Sequence, residues 1–162
     1  MLDNLFEDRL EAGEVLPIGV KMESLLVETS YFNPPMDMGS LLERIKQKGF
    51  RPLLAHPERY VYMDMKDYRR LRGTGVEFQL NIMSLFGLYG PEARAKALRL
   101  LQDGFYGRVG TDLHRLRPFE RAITEESLTG KQIAMLPKFT ERGLYMPATI
   151  LKGEAVERYE VK

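Results

Sequence analysis

Apolar and polar positions along the chain alternate between two periods. Ser24 to Tyr31, "SLLVETSY", is apolar with β-branched character and ends in polar residues, as a buried strand does. Pro34 and Pro35 break the chain, and "DMGSLLERIKQKG" then sets Leu41, Leu42 and Ile45 at helical spacing before Gly49. Arg51 to Ala55 reads as the next short strand, followed by a helix around Met65 to Arg72 that stops at Gly73. Val76 to Ile82, "VEFQLNI", is a third strand. "GPEARAKALRLLQDG" is the clearest helix, with Pro91 in its first turn, an apolar stripe at Ala97, Leu98 and Leu101, and Gly104 at its close. Gly107 to Asp112 is the fourth strand. Helices are expected near Phe119 to Ser127 and Gln132 to Arg142, and a short one in "MPATILKG". Strands alternating with helices across short connections imply an α/β fold with a parallel sheet or barrel.

Composition narrows this picture by exclusion. At 162 residues, with 44% hydrophobic and 29% charged residues, the chain suits one soluble domain with a real core. A formal charge of +1 offers no basic surplus for nucleic acid or an anionic membrane. The opening stretch "MLDNLFEDRLEAGEVLP" lacks a cationic region followed by a continuous apolar run, so no signal peptide is expected, and no segment suits a membrane span. The expected compartment is the cytoplasm. Cysteine is absent, which removes disulfides, thiolate metal sites and cysteine nucleophiles. Any hydrolysis would have to use metals, carboxylates, imidazoles or hydroxyls.

In parallel α/β folds, ligands bind at the carboxyl ends of the strands. Glu28 lies near the end of the first strand, His56 just past the second, Asn81 at the end of the third, and Asp112 and His114 at the end of the fourth. The two histidines are the only ones in the chain. Asp112 and His114 are two apart, so in extended backbone they would face the same way and offer an oxygen and a nitrogen to one metal, or to two adjacent metals. Mixed imidazole and carboxylate ligation suits zinc, manganese or iron rather than calcium. Each residue also has a plainer role open to it. Glu28 could be an ion-pair partner, His56 a turn histidine, Asp112 a helix cap beside a surface His114, and Arg59 a surface cation. Tyr60, Tyr62 and Tyr68 suit packing, and "RAKALRL" suits a solvated helix face. Pattern alone reaches a metal site in an α/β protein.

The segments "LLVETSYFNPP", "GFRPLLAHPERY", "GVEFQLNIMSLFGLYG" and "GTDLHRLRP", in this order and spacing, resemble the manganese-dependent protein-tyrosine phosphatases of bacterial capsular and exopolysaccharide synthesis. Those enzymes belong to the polymerase and histidinol phosphatase (PHP) superfamily. The resemblance runs from about Leu2 to Arg117. It implies a distorted (β/α)7 barrel of the TIM type carrying a di- or trinuclear cluster of manganese ions, with iron or zinc as substitutes. By the same resemblance, Glu28, His56, Asp112 and His114 would be metal ligands and Arg59 would bind phosphate. A second phosphate-binding arginine falls nearest Arg117, which precedes Pro118.

The family begins with a His-x-His strand and further ligands, ahead of the position equivalent to Met1. The chain therefore resembles the C-terminal portion of a PHP phosphatase domain over residues 1–153, a partial barrel lacking the N-terminal strands, with a polar tail at 154–162. The function so implied is hydrolysis of phosphotyrosine on a tyrosine kinase of polysaccharide synthesis. The contrasting reading is a catalytically incomplete fragment that binds a metal or anion. A partial barrel would expose sheet edge, favouring self-association into a homo-oligomer.

Overall fold

Four short strands, β1 (Ser24–Val27), β2 (Arg51–Ala55), β3 (Glu77–Asn81) and β4 (Tyr106–Gly110), pair in the order β1-β2-β3-β4, every pair parallel. The computed structural model describes residues 2–19, 21–125 and 128–136. Helices α1 (Asn4–Ala12), α2 (Met38–Gln47), α3 (Met65–Gly73), α4 (Ile82–Leu85), α5 (Pro91–Gln102), α6 (Leu116–Glu125) and α7 (Gly130–Met135) complete the fold. Local chemistry sets several helix starts. Asp64 and Asp67 form a reciprocal capping box at α3, and Pro91 follows Gly90 at the head of α5. Among the described residues, no helix is long and apolar enough to cross a membrane.

An order with no switch point, joined by right-handed crossovers, puts the connecting helices on one side of the sheet. Leu25, Val27, Leu54, Phe78 and Leu80 face that side and join Leu41, Leu42 and Ile45 of α2, Leu71 of α3, and Ala97 and Leu100 of α5 in one apolar cluster. The opposite face carries Ser24, Leu26, Leu53, Gln79 and Arg108, as the strand register dictates. In a flat sheet, three strand spacings would separate β1 and β4 by about 14 Å. The Arg108 guanidinium on β4 nevertheless donates to Ser24 Oγ on β1 at 3.2 Å. One arginine bridges the outer strands because the sheet is strongly curled, with this face concave.

The second strand and the strand-helix alternation match the expectation from periodicity, while the strand ends differ. β1 stops at Val27 because the Thr29 amide donates to the Tyr60 hydroxyl instead of extending the ladder. β4 stops at Gly110 because Asp112 adopts a left-handed backbone, φ 47°. The extended geometry expected for Asp112 and His114 is therefore not the one adopted. The helix expected from Phe119 begins earlier, at Leu116, and α1 and α4 were not foreshadowed by the pattern. The edge of β1 is covered at both ends. The Leu2 amide donates to the Glu28 carbonyl, and Ile18 forms an antiparallel bridge to Ser24. The expected terminal helix in "MPATILKG" and the tail from Glu154 lie outside the described residues, as does most of the expected helix from Gln132 to Arg142.

Candidate active site

At the carboxyl end of β2 the chain leaves the sheet in a bend that re-aims its side chains. His56 takes a left-handed conformation, φ 34°, and Pro57–Arg59 close a single 3-10 turn behind it. A non-glycine residue at positive φ costs free energy, and such residues collect at functional sites. The bend turns the buried His56 imidazole toward β1, where Nε2 lies 3.2 Å from Glu28 Oε2. Burial holds the His56 imidazole below its usual pKa, the Arg59 guanidinium acts in the same direction, and Asp112 and Glu28 oppose them.

Arg59, on the far side of the turn, reaches the end of β4. Its Nη1 donates to Asp112 Oδ2 at 2.7 Å, and Asp112 Oδ1 lies 3.0 Å from Nε2 of the exposed His114. Tyr31 and Tyr89 place their rings 4.3 Å and 3.9 Å from the guanidinium carbon. Stacking on two rings leaves only the guanidinium edge free to donate. Tyr89 is itself fixed, because its hydroxyl accepts from Asn81 Nδ2 at 3.1 Å. Tyr31 also packs against the His56 ring, 5.7 Å between centroids. Burial raises the pKa of the Tyr31 phenol, Arg59 opposes the rise, and Glu28 and Asp112 add to it. Tyr31 therefore sits within electrostatic reach of three elements of the site.

Glu58 went unnoticed in the sequence because it lies between His56 and Arg59 and reads as one more charged turn residue. It is 1% exposed. Its Oε1 accepts from the Asn81 amide at 3.1 Å and the Ser84 hydroxyl at 2.7 Å, and the Tyr106 hydroxyl donates to Oε2 at 2.9 Å. Burial pushes its carboxyl up to about 7, against the pull of these hydrogen bonds. One side chain thereby ties the 3-10 turn to β3, α4 and β4.

The structure brings Glu28 to His56, and Asp112 to both Arg59 and His114. Arg117 stands apart from these contacts, exposed in the first turn of α6. Tyr60 and Tyr68 pack in the core, as their patterning suggested. The candidate ligands form two pairs, and among the described residues no three His, Cys, Asp or Glu side chains stand together closely enough to hold one ion. Their chemistry still suits a divalent metal. They combine imidazole nitrogen with carboxylate oxygen, and the buried His56 Nδ1 has no hydrogen-bond partner. Beside Arg59 opens a cleft of about 260 Å³ that runs between the Tyr31 loop and α5.

Comparison with known proteins adds to this geometry. The family model described as capsular polysaccharide synthesis, CpsB/CapC, matches residues 3–126. The tyrosine-protein phosphatase YwqE of Bacillus subtilis (strain 168) is 27% identical over 95 residues, 57% of this chain and 37% of that relative. A structure from work on YwqE of Bacillus subtilis and CpsB of Streptococcus pneumoniae, described there as unique metal-dependent tyrosine phosphatases, aligns with a TM-score of 0.63 at 21% identity. That alignment covers 83% of this chain and 57% of the solved one, and carries the fold. The chain spans less than two thirds of either relative's length.

Proposed function

The chain belongs to the CpsB/CapC family of capsular polysaccharide synthesis, and from that premise we propose that it is a metal-dependent phosphomonoester hydrolase of the protein-tyrosine phosphatase type. Its substrate would be phosphotyrosine on a protein, a tyrosine kinase of polysaccharide synthesis, with the cytoplasm as its compartment. The observation that carries the reading is the meeting of residues from three strand ends: Glu28 with His56, and Arg59 with Asp112. The absence of cysteine agrees, since the alternative cysteine-based route is closed to this chain. The curled sheet is read as an arc of a PHP-type barrel.

Glu28, His56, Asp112 and His114 would hold the divalent ion, with manganese the first choice and iron or zinc the substitutes. A divalent ion bound there supplies Lewis-acid polarisation of a phosphoryl oxygen. Arg59 supplies the phosphate contact. Its guanidinium plane is fixed by Tyr31 and Tyr89 and its Nη1 by Asp112, so the donors that Asp112 does not take would meet the phosphoryl oxygens. His56, held neutral by burial, keeps a lone pair available at neutral pH. Hydrolysis joins a water oxygen to phosphorus, breaks the ester P–O bond and delivers a proton to the departing phenolate.

The test is turnover of p-nitrophenyl phosphate by the purified chain with manganese, compared with His56→Ala and Arg59→Ala. Metal-dependent turnover that both substitutions abolish supports the reading. A folded chain with no turnover at any concentration of manganese, iron or zinc overturns it.

A further inference from the structure

We infer that Tyr60 is a positioning residue of the site: its hydroxyl joins the ends of β1 and β2 and thereby sets Glu28 against His56. The patterning of the chain suggests only packing for this side chain, and its ring does pack. It is fully buried, lies against Tyr31 and Tyr62 at centroid distances of 6.2 Å and 5.8 Å, and meets the His56 ring edge-on at 5.8 Å. A ring held on three sides has little freedom to move its oxygen. That oxygen accepts from the Thr29 amide at 3.2 Å and donates to the Ala55 carbonyl at 2.9 Å. The phenol's one donor and one of its lone pairs are thus both in use.

The identity of those two partners sets Tyr60 apart from an ordinary buried tyrosine. Thr29 follows Glu28, and Ala55 precedes His56. One oxygen is therefore bonded to the chain just beyond one candidate ligand and just before the other. The sheet does not supply this link. β1 pairs with β2 only as far as Val27 and Leu54, whereas β2 goes on pairing with β3, the His56 amide donating to the Gln79 carbonyl at 2.8 Å. The Glu28 carbonyl accepts from the Leu2 amide at 2.8 Å, outside the β1-β2 ladder. Past Val27 the Tyr60 hydroxyl takes the place of the next rung. Thr29 is gripped a second time, through a hydrogen bond between its hydroxyl and that of Tyr62. The Tyr60 backbone is anchored from α5, since Lys96 donates to its carbonyl at 2.7 Å. Groups that orient ligating side chains change metal affinity by about 10- to 100-fold when lost. That consequence for metal rests on the ligand set proposed above; the setting of Glu28 against His56 does not.

Tyr60→Phe keeps the ring and removes both bonds. Tyr68→Phe is the matched control, because it loses a buried hydroxyl that donates to the Pro57 and Met63 carbonyls, neither of them in β1 or β2. The chain has only two histidines, so His114 is an internal reference for the His56 ring signals in NMR spectra of the full chain. In the parent and in Tyr68→Phe, adding Glu28→Gln should displace the His56 ring signals. In Tyr60→Phe most of that displacement should be lost, with His114 unmoved throughout. Manganese affinity, from calorimetric titration, should fall about tenfold in Tyr60→Phe and stay within about twofold in Tyr68→Phe. All variants are read at a temperature where thermal melts show them folded. A displacement as large in Tyr60→Phe as in the parent, or an equal loss in both tyrosine variants, would overturn the inference. A parent chain that binds no manganese would sink the proposed ligand set alone, because the imidazole signals still decide the role of Tyr60.

Discussion

Arg59 and Asp112 lie 53 positions apart in sequence, yet Nη1 of one donates to Oδ2 of the other at 2.7 Å. The contact joins the turn after β2 to the loop after β4 and fixes the distance between the two halves of the candidate site. It is partly buried, at 14% and 28% side-chain exposure, and is charge-assisted.

Arg59→Lys keeps the charge and removes the planar fork. Hydrogen bonds to charged groups contribute about 1.5–3 kcal/mol, so kcat/KM for an aryl phosphate should fall by about 10- to 100-fold. Steady-state kinetics in manganese give the answer. A value within about twofold of the parent chain would remove Arg59 from phosphate binding.

Glu58 should make stability depend on pH. Its folded pKa of about 7 exceeds the ordinary 4.5, so the native state keeps a proton that the unfolded chain releases between those values. Stability should therefore be greatest below pH 4.5 for this group, decline through that interval and level off above pH 7. A shift of this size corresponds to at most about 3 kcal/mol. His56, whose pKa is lowered, acts in the opposite sense: its contribution is lost as pH falls below its ordinary value. Glu58→Gln mimics the protonated acid: its oxygen accepts from Asn81 and Ser84, and its amide donates to the Tyr106 hydroxyl once that hydroxyl turns from donor to acceptor. The difference between the two chains isolates Glu58. Urea unfolding from pH 5 to 8 should show a falling curve for the parent relative to Glu58→Gln, and parallel curves would refute this assignment.

Asp112 tests whether its strained backbone serves the site. Asn tolerates φ near 47° as Asp does, so Asp112→Asn should change stability by less than about 1 kcal/mol while weakening manganese binding about tenfold or more. Asp112→Val, β-branched at positive φ, should cost a further 1–2 kcal/mol, roughly, in stability. Calorimetric metal titration and thermal melts check both; unchanged manganese affinity in the Asn variant would take Asp112 out of the ligand set.

Arg108 stands at the middle of β4, and its side chain reaches Ser24 and Glu77, the first residues of β1 and β3. Arg108→Ala removes the bridge to Ser24 and the contact to Glu77, and should cost about 1 kcal/mol of stability. Metal affinity should stay the same. A loss of metal binding as large as that of Asp112→Asn would show that the curl of the sheet is set from this end.

The sequence disclosed the parts of this fold that depend on short-range order. Arg51–Ala55 is bounded by its own composition, and α5 by Pro91 and Gly104, so both stand where periodicity places them. His56 and Arg59 were legible as candidates because rare or charged residues interrupt an apolar run. Glu58 was not, since its burial depends on Ser84 and Tyr106, remote partners that no local pattern announces. The clamp of Tyr31 and Tyr89 on Arg59 was hidden for the same reason. The left-handed turns at His56 and Asp112 were hidden differently: Asp and His tolerate positive φ, but their type does not single out which of them adopts it.

The strand order has a consequence for how the molecule is made. Each strand pairs with the one synthesised just before it, so the sheet can grow outward in step with translation and needs no late insertion between finished strands. The imidazole and guanidinium of the β2 turn emerge from the ribosome well before the loop after β4. The candidate site would thus be completed only once β4 and its loop have joined the sheet, and a nascent chain halted before Asp112 would carry half of it on a growing scaffold.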